Sequence, residues 1–217
     1  PGISVSEPTP TQAAAVGKAL AKMHMAVVNF GELKPNPLGQ SSWKALFDQC
    51  DQTAANALQA GFAGEIAREC DWLSENWPPN LPQCAVHTDL FPDNVLIRGD
   101  QVGGLIDFYF ACTDFRAYDL AVTHAAWSFT ADGQNYLADI GRALLDGYCE
   151  VVQLTGDEKQ AFPALARGAS LRFLLTRLYD WINTPADAMV TRKDPLAFYH
   201  RLKFYSNANS SALFGSA

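Results

Sequence analysis

The first third of the chain alternates apolar and polar positions at helical intervals. Val16, Leu20, Met23 and Val27 share one face, which predicts a first helix beginning near Thr11 and delimited by Pro8 and Pro10. Gly31 to Gly39, with Pro35 and Pro37, reads as a loop. After it, Ser42 is a candidate cap for a helix carrying Leu46, Phe47, Cys50 and Leu58. A third helix from about Phe62 aligns Ile66, Cys70, Leu73 and Trp77, and Pro78-Pro79 stops it. Further on, the pattern predicts a helix from about Tyr118 with Leu120 and Val122. Longer helices follow near Gln134 to Leu154 and Asp157 to Trp181, with Pro163 a candidate kink in the last. The tryptophans are expected in the core, and His24 on the first helix is expected to be structural.

Between these helices the period shortens. Cys84-Ala85-Val86 is a short apolar stretch, and Val95-Leu96-Ile97 and Val102 to Ile106 are apolar runs separated by Arg98, Gly99, Asp100 and Gln101. Gly-Asp between two such runs is a hairpin signal. A hairpin makes neighbours of the residues at its open end, here Asn94 and Asp107. The expected fold class is therefore α+β, mainly helical around a small β hairpin.

Composition narrows the function classes. A chain of 217 residues with 48% hydrophobic and 18% charged residues can bury a sizeable core. A net charge of -7 argues against a nucleic-acid surface, which needs basic stripes. No apolar run approaches the roughly 20 residues that span a bilayer. The five cysteines have neither CxxC spacing nor an even count, so reduced thiols and a cytoplasmic location are expected rather than a zinc site or a disulfide framework.

The chemistry sits in HTDLFPDNVLIRGDQVGGLIDF, from His87 to Phe108. An aspartate followed five residues later by an asparagine, Asp89 and Asn94, is the spacing of a phosphotransfer catalytic loop. There the first accepts a hydroxyl proton and the second holds magnesium. Asp107 is the expected second metal ligand, because magnesium takes hard oxygen donors and few protein side chains. His87 is expected to hold the loop rather than move a proton. Taken singly, Asp89 and Asp93 also read as turn acids and Asn94 as an Asx cap. Together with the strand, loop and hairpin around them, they read as a phosphotransferase site.

The run HTDLFPDNVLIRGDQVGGLIDFYFACTDFRAYDLAVTHAAW resembles the catalytic segment of homoserine kinases of the aminoglycoside-phosphotransferase-like type, whose superfamily also contains choline kinases. LRFLLTRLYDW from Leu171 to Trp181, KDPLAFYHRL further on and the LAKMH segment from Leu20 to His24 carry the likeness beyond it. The resemblance implies a protein-kinase-like C-terminal lobe, with ATP as donor, Mg2+ as its metal and the hydroxyl of L-homoserine as acceptor. The product would be O-phosphohomoserine, a threonine precursor.

It also implies that Asp119 supports the catalytic loop through backbone hydrogen bonds, although its position before Leu120 equally fits a helix cap. Arg172 and Arg177 are candidates for the acceptor carboxylate, Asp114 for its ammonium, and Tyr109 for a pocket wall. Helix arginines more often make solvated ion pairs or cover apolar surface. Such families carry a Gly-rich phosphate loop and a strand lysine in an N-terminal lobe, and this sequence shows neither. Residues 1–11 are accordingly expected to be the linker from that lobe, 12–205 the catalytic lobe and 206–217 a flexible tail, the fragment alone being poorly active. A choline or aminoglycoside kinase, or a non-catalytic kinase-like binding domain, is the alternative reading.

Overall fold

The computed structural model describes residues 2–185, 189 and 191–215. Helix α1 (Pro10–Ala26) starts where Thr9 caps it: the Thr9 hydroxyl accepts from Gln12 N, the Gln12 side chain returns the bond, and Pro10 occupies the first helical position. Its buried face includes Ala13, Val16, Leu20 and His24. The helix expected from Ser42 is divided in two, α2 (Gln40–Phe47) and α3 (Gln52–Leu58). Asp51 is the cause, because its carboxylate accepts from Thr53 N and Ala54 N and starts a new helix. Ser42 lies inside α2, its hydroxyl donating to Gly39 O. Helix α4 (Phe62–Asn76) follows the predicted face, and Trp77 packs edge-on against buried Trp43 at 5.1 Å.

The sheet content exceeds the expected hairpin. Strand β1 (Gln83–Val86) pairs antiparallel with β4 (Cys112–Phe115), a second ladder in which Val86 faces Cys112. The hairpin itself is β2 (Val95–Arg98) and β3 (Gln101–Leu105). Its turn narrows to Gly99-Asp100, since Arg98 and Gln101 pair, and Gly99 takes φ 62 at the first turn position, where a residue without Cβ is unstrained.

Helix α5 (Arg116–Trp127) is buried at every residue from Ala117 to Trp127 and runs through the centre of the lobe. Around it stand α6 (Ala138–Cys149), the long α7 (Gly156–Asn183), α8 (Leu196–Asn207) and α9 (Ser210–Phe214). α6 begins later than Gln134 because Leu137 N donates to Ser128 O and Phe129 bridges Tyr136. α7 continues through Pro163 as one helix. The tail expected to be flexible instead carries α9. Asn209 caps it, Leu213 is buried, and Phe214 O accepts from Arg142; the apolar Leu213-Phe214 pair gives this otherwise polar segment something to bury. Residues 216–217 of that tail lie outside the described residues. Among the described residues no helix is long and apolar enough to cross a membrane. The five cysteines are free, and burial pushes the thiols of Cys50 and Cys112 up to about 11 and those of Cys70 and Cys84 to about 12.

Where α1, α5 and α6 meet β1, a buried polar junction fixes their relative positions. His24 of α1 donates from Nε2 to Oδ2 of Asp119 on α5 (3.0 Å), and its Nδ1 shares a hydrogen bond with the Tyr148 hydroxyl of α6 (2.8 Å). The same carboxylate accepts His87 N at 2.7 Å and Thr88 N at 2.6 Å from the loop after β1. Asp119 therefore lies in the first turn of α5 without capping it. Burial alone would raise its pKa. The hydrogen bond and charge of His24, with the His87 N–H, outweigh that effect and hold the carboxyl below the ordinary carboxylate range.

Replacing Asp119 with Asn should destabilise the protein at neutral pH by about 3 kcal/mol or more, because it breaks a buried pair and turns an amide N–H toward backbone donors. The wild-type carboxylate contributes fully above its unfolded pKa of about 4 and loses that contribution as pH falls through the lower folded value. The gap between wild type and variant should therefore narrow on acidification, which thermal melts between neutral pH and the acid limit would measure.

Candidate active site

The site assembles where β1 and the hairpin end. Strand β1 delivers His87, Thr88 and Asp89 into a loop whose middle residue has φ 60. For a β-branched residue this left-handed conformation costs roughly 1–3 kcal/mol and persists only when its surroundings over-determine it. They do so here. Thr88 N donates to Asp119, its hydroxyl donates to Phe110 O at 3.0 Å, and its carbonyl accepts from the Arg172 guanidinium. The other non-glycine residue with positive φ among the described residues is Asp107, at φ 62 and ψ 63.

His87 ties these two strained positions together. Its Nδ1 accepts Asp89 N at 3.2 Å, so the proton resides on Nε2, which donates to Ile106 O at 2.9 Å. Its ring lies 4.6 Å from that of Phe108. Asn94 follows a short 3-10 turn, Pro92–Asn94, and its amide nitrogen donates to Asp89 O (2.8 Å) and Asp89 Oδ2 (3.3 Å). Ile106 N donates to Asn94 O at 3.0 Å, closing the open end of the hairpin and bringing Asn94 beside the Asp107 turn.

Asp89, Asn94 and Asp107 line a cleft of about 540 Å3. Arg172, Thr176, Arg177 and Asp180 of α7 line it too, with Arg192 and Lys193 from the segment beyond that helix. Burial pushes the Asp89 carboxyl pKa up, while the nearby charges of Arg172, His87 and Lys193 oppose it and Asp93 adds to it. A carboxylate shifted upward is a stronger base than a solvated one. The donor set suits magnesium: the Asn94 amide directs its nitrogen to Asp89, leaving an oxygen, and the Asp107 side chain is not used to cap its own turn. Among the described residues no cluster of three His, Cys, Asp or Glu side chains could hold a metal alone. That pattern fits a cation that completes its shell with phosphate oxygens and water rather than zinc.

The residues expected at an acceptor pocket divide. Arg177 lines the cleft with its guanidinium 4.5 Å from the Phe198 ring and Nη1 donating to Asp194 O at 3.2 Å. Arg172 lines it as well but is 2% exposed and engaged with Thr88. Asp114 is not in the cleft. The β4 pairing, which sequence reasoning missed, turns its carboxylate to Asn36 Nδ2 and Phe115 N, each at 2.7 Å. Tyr109 is also outside, 79% exposed beyond the Asp107 turn. Sequence reasoning overlooked Asp180, Arg192 and Lys193. Asp180 could have been found, because Arg172, Thr176 and Asp180 recur every four residues along one helical face. Arg192 and Lys193 lie outside any periodic element.

The model of the phosphotransferase enzyme family matches residues 1–154. The homoserine kinase of Zymomonas mobilis is 47% identical over 208 residues, covering 95% of this chain and 65% of that protein. The homoserine kinase of Xanthobacter autotrophicus is 47% identical over 217 residues, covering 100% of this chain and 67% of that protein. The chain thus spans about two thirds of the length of the curated relatives it matches. Among solved structures, an amicoumacin kinase in complex with AMP-PNP, Ca2+ and its antibiotic aligns over 97% of this chain and 64% of its own, with a TM-score of 0.67 at 13% identity. A Plasmodium vivax ethanolamine kinase aligns over 94% and 63%, with a TM-score of 0.63 at 16% identity. These likenesses establish a kinase-like α+β fold, and with 154 residues matched by the family model the chain belongs to the phosphotransferase enzyme family.

Proposed function

We propose that the complete protein transfers the terminal phosphoryl group of ATP to the side-chain hydroxyl of L-homoserine, giving O-phosphohomoserine for threonine synthesis in the cytoplasm. One observation carries this reading: homoserine kinases match the chain at 47% identity along 95–100% of its length.

In this reading Asp89 accepts the proton of the attacking hydroxyl. Its partly buried carboxylate, raised in pKa, is aimed by the Asn94 amide and by the loop that His87 and Asp119 hold. Asn94 and Asp107 would hold magnesium, whose charge neutralises the phosphate oxygens of the bound nucleotide. Homoserine is a zwitterion. Arg177 and Lys193 supply cations for its carboxylate, and Asp180 an acceptor for its ammonium, all three lining the cleft with Asp89. The cations Arg177, Arg192 and Lys193 in the cleft give a carboxylate-bearing acceptor partners that choline or an aminoglycoside would leave unused.

The test is turnover of the full-length protein with L-homoserine, choline and an aminoglycoside under coupled ADP detection. Homoserine should be preferred by kcat/KM, and a clear preference for either cationic acceptor overturns the substrate assignment. Asp89→Asn should lower kcat on homoserine by about 100-fold or more with little change in acceptor KM.

For the metal ligands, Asp107→Ala should weaken magnesium-dependent ATP binding more than Asn94→Ala does, because it removes a charged donor rather than a neutral one. Calorimetric ATP titrations with and without magnesium give the comparison. Magnesium-dependent affinity identical in both variants and wild type would count against the assignment.

A further inference from the structure

The acceptor cleft contains one cation whose surroundings differ from the rest. Arg172 is 2% exposed, and its guanidinium lies 4.5 Å from the Phe173 ring and 5.6 Å from that of Phe110. It forms no ion pair among the described residues. Its Nη1 donates to the Thr88 carbonyl, and Nε has no partner. The geometry points to Arg172 as a positioning residue that clamps the strained Thr88 peptide, and through it Asp89, rather than as a ligand of the acceptor carboxylate. This rests on the reading of Asp89 as the base of the phosphotransfer.

The argument begins with the conformation of Thr88. Its polar atoms are bound from different elements: the N–H by Asp119 on α5, the hydroxyl by Phe110 O, and the carbonyl by Arg172 on α7. Asp119 alone fixes only the N–H side of the residue. The carbonyl belongs to the peptide that leads into Asp89, so its orientation sets the direction in which the Asp89 side chain leaves the backbone. Thr88 is 1% exposed, and without Arg172 its carbonyl would be buried without this donor, a state that folded proteins avoid. The peptide would then be held only at its other end, where Asp89 N donates to His87 Nδ1, and its carbonyl could tilt toward an ordinary conformation, displacing the base.

The choice of arginine follows from the same geometry. A guanidinium is planar and lies flat between aromatic rings while still donating at its edge. An ammonium keeps the charge but loses that fit. Beside the rings of Phe110 and Phe173, arginine accordingly fits better than lysine.

Steady-state kinetics of the full-length protein test this with L-homoserine and with aminopropanol, the same skeleton without its carboxylate. Arg172→Met should reduce kcat by about 100-fold on both acceptors, the loss typical of a reacting group misplaced by about 1 Å, with KM for each nearly unchanged. Arg172→Lys should recover part of the rate on both. Arg177→Met serves as the contrast, raising the homoserine KM and sparing aminopropanol. The inference is overturned if Arg172→Met raises KM for homoserine alone, or if its kcat stays near wild type.

Hydrogen–deuterium exchange supplies a readout independent of turnover. Residues 87–90 should exchange at least about tenfold faster in Arg172→Met, with helix 116–127 as protected as in wild type. Unchanged protection at 87–90 overturns the clamp. If the wild-type protein turns over neither acceptor, the substrate assignment fails and exchange still decides the role of Arg172. If Arg172→Met does not fold, Arg172→Lys carries both measurements.

Discussion

The buried carboxylate of Asp119 is the contact on which the rest of the lobe depends. It accepts N–H groups from His24, His87 and Thr88, so a single side chain joins α1, α5 and the loop after β1. A buried charge is tolerable only with such a set of donors. The central helix is buried from Ala117 to Trp127 because it is apolar nearly all round, and Asp119 is the carboxylate that it presents to the loop.

Strain and support are matched at the site. Thr88 and Asp107 adopt left-handed backbone conformations, and the residues beside them, Asp89 and Ile106, are joined through the two ring nitrogens of His87. The proposed base and the proposed metal ligands are therefore parts of one rigid unit, His87 holding Asp89 on one side and the Ile106 carbonyl on the other. Preorganisation of this kind lets a site act without rearranging its own groups as charge develops. α7 lines the same cleft with Arg172, Thr176, Arg177 and Asp180.

Much of the local architecture was legible in the residues. Gly99-Asp100 between apolar runs gave the hairpin, and the hairpin brought Asn94 beside the Asp107 turn. The helices from Phe62 and along α7 followed their periodic apolar faces. Misreadings occurred where one polar side chain outweighs periodicity, as where Asp51 caps α3 and splits a predicted helix. In the tail, two apolar residues in a polar context sufficed to dock α9.

By itself the sequence determined the phosphotransferase motif and set Asn94 beside the Asp107 turn, because spacing within a loop and a hairpin is a short-range property. The tertiary structure decided what each remaining polar residue faces. Strand β4 pairs with β1 across some thirty residues and turns Asp114 to Asn36 instead of the cleft. α7 buries Arg172 against Thr88, 84 residues away in sequence, and Lys193 reaches the cleft from beyond the end of that helix. No local pattern encodes those encounters, since they arise from the packing of whole elements around the α5 core and from the hydrogen-bond partners that packing leaves available.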